Sequence, residues 1–229
     1  MMLINPFMGA PARPAIPAST KILMPLTTAD GFADIANNHA ITVIGSPTIS
    51  TAQSKFGAGS LRVSTISSGN YLRINSTSTL DMSGKKPFTF EFWVYLTNDH
   101  SSLGGILSMR SSVVYCPLVV KDDRTFIGDD SLNSWSFLTT HGVVGRNTWS
   151  HIAIVFDGTN VRLYVNGNGT FDNPTISNKP HPSWPVGDRF LNVGYDVDGF
   201  TDGYINDLRI SDSAVYTADF TPPTAPFTF

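Results

Sequence analysis

The segment Phe88 to Leu96, FTFEFWVYL, alternates with a period of two. Phe88, Phe90, Phe92, Val94 and Leu96 fall on one side, and Thr89, Glu91, Trp93 and Tyr95 on the other. A helix would spread these residues around its surface, whereas a strand sends successive side chains to opposite faces. Both faces carry aromatics, so this strand is expected at the centre of a sheet in a sandwich, covered on both sides. The same period returns in Ile22, Met24 and Leu26, in Leu61 and Val63, and in Leu72 and Ile74. Trp149 to Phe156 and Val161 to Val165 read as strands joined by Asp157-Gly158-Thr159-Asn160, where Gly accepts a positive φ cheaply. Asn166-Gly167 marks a second hairpin turn, and Leu191 to Tyr195 and Tyr204 to Ile210 complete the late strands. No stretch keeps a helical period for more than about two turns. The expected fold class is all-β, an antiparallel sandwich.

Residues 21–229 contain no Pro/Ser/Gly-rich linker and read as one domain. Residues 1–20 read as an extended arm, because Pro6, Pro11, Pro14 and Pro17 fix φ and restrict the residues before them. Leu3, Ile4, Phe7 and Met8 are unusually apolar for a solvated arm. They pack either on their own domain or into a partner, as anchors. At the other end, residues 213–229 form a Pro-rich tail that cannot be a central strand. It is expected to lie along the surface, pinned by Phe220 and Phe227.

The opening residues lack a basic stretch followed by an apolar one, so no secretory signal is expected. The chain has one cysteine, Cys116, which excludes an intrachain disulfide and argues against a zinc cluster. The net charge of -3 offers no bulk attraction to nucleic acid, and no apolar run is long enough to span a bilayer. Charged residues are only 14% of the chain, with Ser and Thr in their place. Such a surface desolvates cheaply and suits a protein packed among neighbours.

TFEFWVYL, ILSMR, WSHIAIVFDGTNVRLYVNG and GYINDLRIS resemble the laminin-G-like, concanavalin A-like jelly-roll domains over roughly residues 21 to 212. The WSHIAIVFDGTNVRLYVNG hairpin is the most specific part. The ending SDSAVYTADFTPPTAPF resembles the end of such domains in tailed-bacteriophage virion proteins. The resemblance implies two antiparallel sheets of about six strands each, one concave and one convex. Relatives include lectins, glycoside hydrolases, calcium-dependent adhesion modules and structural spacers, so fold alone does not settle function.

Glycoside hydrolysis needs two carboxyl groups flanking one bond. Hydrolases of this fold are expected to carry a Glu-x-Asp-x-x-Glu run on one strand. Here Glu91 is the sole glutamate, with Thr89 and Trp93 two positions away on either side. Cys116 precedes Pro117 in an apolar run and reads as a buried thiol, and the five histidines show no metal-binding spacing. No Gly-rich phosphate loop opens a helix, so no enzyme is expected.

The resemblance brings an early loop against the last core strand. Asp30, Asp34 and Asp207, with the Gly59 carbonyl, could then share a calcium ion. Alternatively Asp30-Gly31 is an ordinary turn and Asp207 holds a loop by accepting backbone hydrogen bonds. Trp135, Trp184, Tyr195 and Phe200 are the aromatics that could stack on a sugar, or instead cap the core or fill subunit contacts. The expected function is a non-enzymatic structural protein of a phage virion, a capsid decoration or cement protein or a fibre or tail component. Its arm would anchor it to other virion proteins, and assembly would take place in the host cytoplasm. The alternative is a carbohydrate-binding adhesion module for host surface glycans. Sheet edges that pair or are covered favour a homo-oligomer.

Overall fold

The computed structural model describes residues 17–64, 69–75, 86–97, 104–109, 118–121, 125–129, 134–137, 144–172, 190–196, 199–200 and 202–227, with backbone alone for 118–121, 125–129, 134–137, 170–172, 196 and 200. Leu3, Ile4, Phe7, Met8, Cys116 and Trp184 lie outside the described residues.

The described elements are all strands. They are β1 (Thr20–Met24), β2 (Ile41–Ile44), β3 (Thr48–Ser50), β4 (Ser60–Val63), β5 (Tyr71–Asn75) and β6 (Phe88–Leu96). Then come β7 (Gly105–Ser108), β8 (Leu118–Lys121), β9 (Thr125–Asp129), β10 (Ser134–Phe137), β11 (Trp149–Phe156) and β12 (Val161–Val165). The last are β13 (Asn168–Asp172), β14 (Phe190–Val193), β15 (Tyr195–Asp196), β16 (Gly199–Phe200) and β17 (Gly203–Ser211).

They form two sheets. The first, of 8 strands, runs β13-β12-β11-β6-β17-β4-β3, with β1 also on β17. The second, of 9 strands, runs β10-β9-β8-β7-β14-β5-β2, with β15 and β16 beside β7. The counts exceed six per sheet because short pieces such as β3, β15 and β16 pair at the margins. Among the described strands the pairing is antiparallel except where Phe200 meets Gly105 in parallel, and a lone parallel bridge joins Leu96 to Arg146.

β6 occupies the central place its two-faced pattern demands, between β11 and β17. Its Phe88, Phe90, Phe92, Val94 and Leu96 enter the core between the sheets. There they meet Leu72 and Ile74 of β5, Leu191 and Val193 of β14, and Ile152 and Ile154 of β11. Burying one such side chain stabilises by roughly 1.5–3 kcal/mol, so this layer is the main source of cohesion.

Turn chemistry sets the registers. In the β11–β12 hairpin, Asp157 Oδ1 accepts the N–H groups of Thr159 and Asn160 at 2.8 and 2.6 Å, and Gly158 takes φ 95°. Asn166 and Gly167, at φ 51° and 78°, form the next turn. Positive φ at both central residues is the requirement of a tight two-residue hairpin.

The second face of the first sheet is covered in part by the C-terminal tail. Ala153, Val155 and Tyr164 are buried beneath Ala214, Tyr216 and Phe220. Tyr216 and Phe220 stack with centroids 3.6 Å apart, and Phe220 lies 5.3 Å from Tyr164 and 5.6 Å from His151. Phe227 is also buried. The tail is thus a strap held by Phe220 and Phe227.

Candidate functional site

Two places concentrate polar and aromatic chemistry. The first lies under the strap. Glu91 of β6, fully buried, accepts from Arg209 Nε at 2.7 Å and from the Tyr216 hydroxyl at 2.7 Å. Arg209 Nη2 is also 2.7 Å from Oε1, and His151 Nε2 is 3.5 Å from Oε2. Burial pushes this carboxyl up, but the His151 ring, the Arg209 charge and the Tyr216 hydroxyl outweigh it and hold it below the ordinary range. Both oxygens are engaged, and Tyr216, Phe220 and Phe227 surround the His151 ring. The cluster ties β6, β11, β17 and the strap together.

β17 carries a bulge between Asn206 and Arg209, with Asp207 at φ 55°. On one side β17 pairs with β4 up to Ile205 and with β1 from Leu208 onward, and the bulge fills the gap. Asn206 Oδ1 accepts Lys55 and Phe56 N–H at 3.2 and 2.8 Å, and its Nδ2 donates to the Pro25 carbonyl at 2.7 Å. Asp207 Oδ2 accepts the Phe227 N–H at 2.6 Å.

The structure does not gather the proposed calcium ligands. Among the described residues no group of three or more His, Cys, Asp or Glu is placed to hold a metal ion. Asp34 instead organises its own loop. It accepts N–H groups from Leu23, Ala36, Asn37 and His39, and its Oδ2 lies 2.6 Å from His39 Nδ1. Asp30 accepts from Thr27 Oγ1 at 2.9 Å, closing a local turn. Gly59 is required by its φ of 85° and by Ile49 and Ser50, which leave no room for a Cβ. The alternative reading of Asp207, an acceptor that holds a loop, describes its contact with Phe227.

Asp207 has a consequence for pH. Burial pushes its carboxyl up from 3.8 to about 7, against the Phe227 N–H and the Arg209 charge, with the Glu91 charge adding to the rise. A carboxyl raised in this way holds more protons folded than unfolded. Its contribution is therefore complete below 3.8 and is lost as pH climbs through about 7. Glu91, held low, works the opposite way, and its contribution is lost only as pH falls below 4.5. Asp207→Asn keeps the shape, the acceptor and the tolerance for positive φ. It is expected to raise Tm at pH 8 by several degrees and to change little at pH 4. A fall in Tm at pH 8 would contradict this assignment.

The second place is the outer face of the second sheet. Leu72 and Ile74 point into the core, so Tyr71, Arg73 and Asn75 of β5 point out. Phe190 and Asn192 of β14 face the same way, with Arg73 and Asn192 at one register position. Tyr71 and Tyr195 stack, with centroids 4.5 Å apart and planes at 21°. Asn75 Nδ2 donates to Thr42 Oγ1 at 2.7 Å in the open. The result is a half-buried aromatic pair bordered by amides, a hydroxyl and one guanidinium.

Of the sequence-predicted aromatics, only Tyr195 is seen with its side chain in this platform. Trp135 pairs through its backbone with Gly128, and Phe200 with Tyr195 and Gly105. Tyr71, Arg73, Phe190 and Asn192 were missed. The available signal was the alternation in YLRIN, whose apolar members fix the outward ones.

No curated protein sequence matches the chain. Solved structures similar to it include the binding domain of botulinum neurotoxin serotype D, at 15% identity and a TM-score of 0.64. That match covers 86% of this chain and 48% of that one, so the chain spans about half the length of the toxin domain. The binding domain of Paraclostridial Mosquitocidal Protein 1 matches at 12% identity and a TM-score of 0.67, covering 86% and 50%. Domain 4 of AbnA, a GH43 extracellular arabinanase from Geobacillus stearothermophilus, solved with arabinotriose, matches at 14% identity and a TM-score of 0.57, covering 86% and 94%. These likenesses concern the fold. At the level of sequence, the Laminin_G_3 model matches residues 67–219, most of the chain including β6, the β11–β12 hairpin, β17 and the start of the strap. The chain belongs to this family of the concanavalin A-like lectin/glucanases superfamily.

Proposed function

We propose that this chain is a non-enzymatic saccharide-recognition module that binds its ligand on the outer face of the second sheet. The observation that carries this reading is the Tyr71–Tyr195 stack, an aromatic surface bordered by Asn75, Thr42 and Arg73. Rigid aromatics offer a sugar ring an apolar contact at low entropic cost, and the surrounding amides and hydroxyls fix its orientation. The similar arabinanase domain holds arabinotriose, and the similar toxin domains are binding domains, which supports recognition over catalysis. On a glycan array, the wild-type chain is expected to retain a defined set of oligosaccharides. Tyr71→Ala is expected to weaken them by about tenfold or more, about 1.4 kcal/mol. Wild-type binding that Tyr71→Ala leaves unchanged contradicts this placement.

The module is displayed on a tailed-phage particle, as a homo-oligomer held by residues 1–20. The likeness of the strap to the endings of virion proteins supports this, as does the low charge of 14%. In this reading Leu3, Ile4, Phe7 and Met8 of the arm are the anchors. Since Thr20 already belongs to β1 and the Ser19 carbonyl accepts the Asp212 N–H, particles stripped of the protein are expected to sediment with the full chain and not with a chain lacking residues 1–16. Equal co-sedimentation of both would refute the anchor.

A further inference from the structure

Arg73 differs from three other described arginines, each of which meets a carboxylate. Arg62, Arg162 and Arg209 sit against Asp202, Asp157 and Glu91. Arg73 has no carboxylate partner among the described residues. It is half-buried, with its guanidinium 4.3 Å from the Phe190 ring centre and 5.7 Å from that of Tyr71. Its Nε donates to Asn192 Oδ1 at 2.9 Å and its Nη2 to the Tyr71 hydroxyl at 3.2 Å, which fixes the plane and leaves Nη1 to be offered. A guanidinium held against an aromatic ring loses part of its water while keeping its full charge. Beside it Asn192 is fully buried, and its Nδ2 has no hydrogen-bond partner among the described residues. Such an orphaned donor is costly and rare. This corner of the platform therefore supplies a positive charge and N–H donors, and among the described residues no negative charge answers them.

We infer that the ligand of this face is an acidic saccharide, its ring on the Tyr71–Tyr195 pair and its carboxylate or sulfate on Arg73. The inference rests on the saccharide-binding reading above and names the class of sugar. A planar fork of N–H donors matches either anion in a two-bond geometry, and the charge-assisted bonds are roughly twice as strong as neutral ones.

The test uses the full chain on an array of neutral, uronate- or sialate-bearing, and sulfated oligosaccharides, followed by titration of the best binders at two salt concentrations. Anionic members are expected to bind, more weakly as salt rises. Arg73→Met is expected to reduce that binding by about tenfold or more. Asn192→Asp sets a carboxylate against Arg73 without a change of size and is expected to cause the same loss with Tm preserved. This variant decides the matter if Arg73→Met fails to fold. Whether uronates, sialates or sulfates bind identifies the anion, and each supports the inference. Anionic binding that survives Asn192→Asp overturns it. Binding confined to neutral members overturns it and leaves the saccharide reading standing, whereas binding to no saccharide overturns both.

Discussion

Arg209→Met is expected to destabilise the protein by about 3–5 kcal/mol at pH 7, the cost of leaving one member of a buried ion pair alone. Glu91 is fully buried, and Arg209 meets its Oε1 through both Nε and Nη2. After the substitution Tyr216 remains a donor and His151 stays 3.5 Å away in the wild-type geometry, which does not replace a guanidinium. Met retains much of the Arg stem and its packing on Phe227, so the loss reports the charge more than the volume. The pH dependence separates the two. Without Arg209, burial dominates and the Glu91 carboxyl is raised in the folded state. The variant is then handicapped at pH 7 and recovers as pH falls through that raised value, the reverse of the wild-type behaviour. Denaturant melts at pH 4 and pH 7 provide the check, together with Arg209→Met combined with Glu91→Gln, which removes the stranded charge and is expected to recover part of the loss. A loss below about 1 kcal/mol at pH 7, typical of a surface pair, would contradict a buried network.

Gly167→Val is expected to release the strap. Gly167 takes φ 78°, and a Cβ there would collide with the Phe220 carbonyl oxygen, a backbone atom that cannot swing aside. The Phe220 N–H also donates to the Gly167 carbonyl at 3.0 Å, so one residue both seats the strap and leaves room for it. A β-branched residue at positive φ adds strain of about 1–3 kcal/mol. Displacing the strap then uncovers Ala153, Val155 and Tyr164 and opens the Glu91 cluster to water. The combined loss is expected to reach about 4 kcal/mol, with the strap cut by protease before the β-sandwich body. Gly31→Ala is the control. It shares the positive φ, at 59°, but nothing lies within 4 Å of the added Cβ, so it is expected to cost only about 1 kcal/mol. Equal effects of the two substitutions would show that the strap is not seated at this turn.

The strands were readable where the signal is local. Phe88 to Leu96 is β6 to the residue because nine consecutive positions alternate, and both hairpin turns announce themselves by Gly, Asn and Asp. The need to cover the second face of β6 was also written in Trp93 and Tyr95, and the strap meets part of it with Tyr216 and Phe220. The site was less readable. Asp30, Asp34 and Asp207 looked like ion ligands because a carboxylate in a loop looks the same whether it faces a cation or its own backbone. Only the fold shows that Asp34 accepts four N–H groups. Similarly, Tyr71 and Tyr195 meet across more than a hundred residues of sequence, through β5 and the chain leaving β14. No periodicity within either segment encodes that contact. Arg73 became conspicuous only once its described neighbours were known to be aromatic rings and an amide, with no acid among them.

The most direct test of saccharide recognition on the outer face of the second sheet is a crystal structure of the full chain with the oligosaccharide that binds best. The expected result is a sugar ring lying on the Tyr71–Tyr195 pair, within hydrogen-bond reach of Arg73 and Asn75. A sugar seated instead at Trp135 or Trp184, with the tyrosine pair bare, would contradict it.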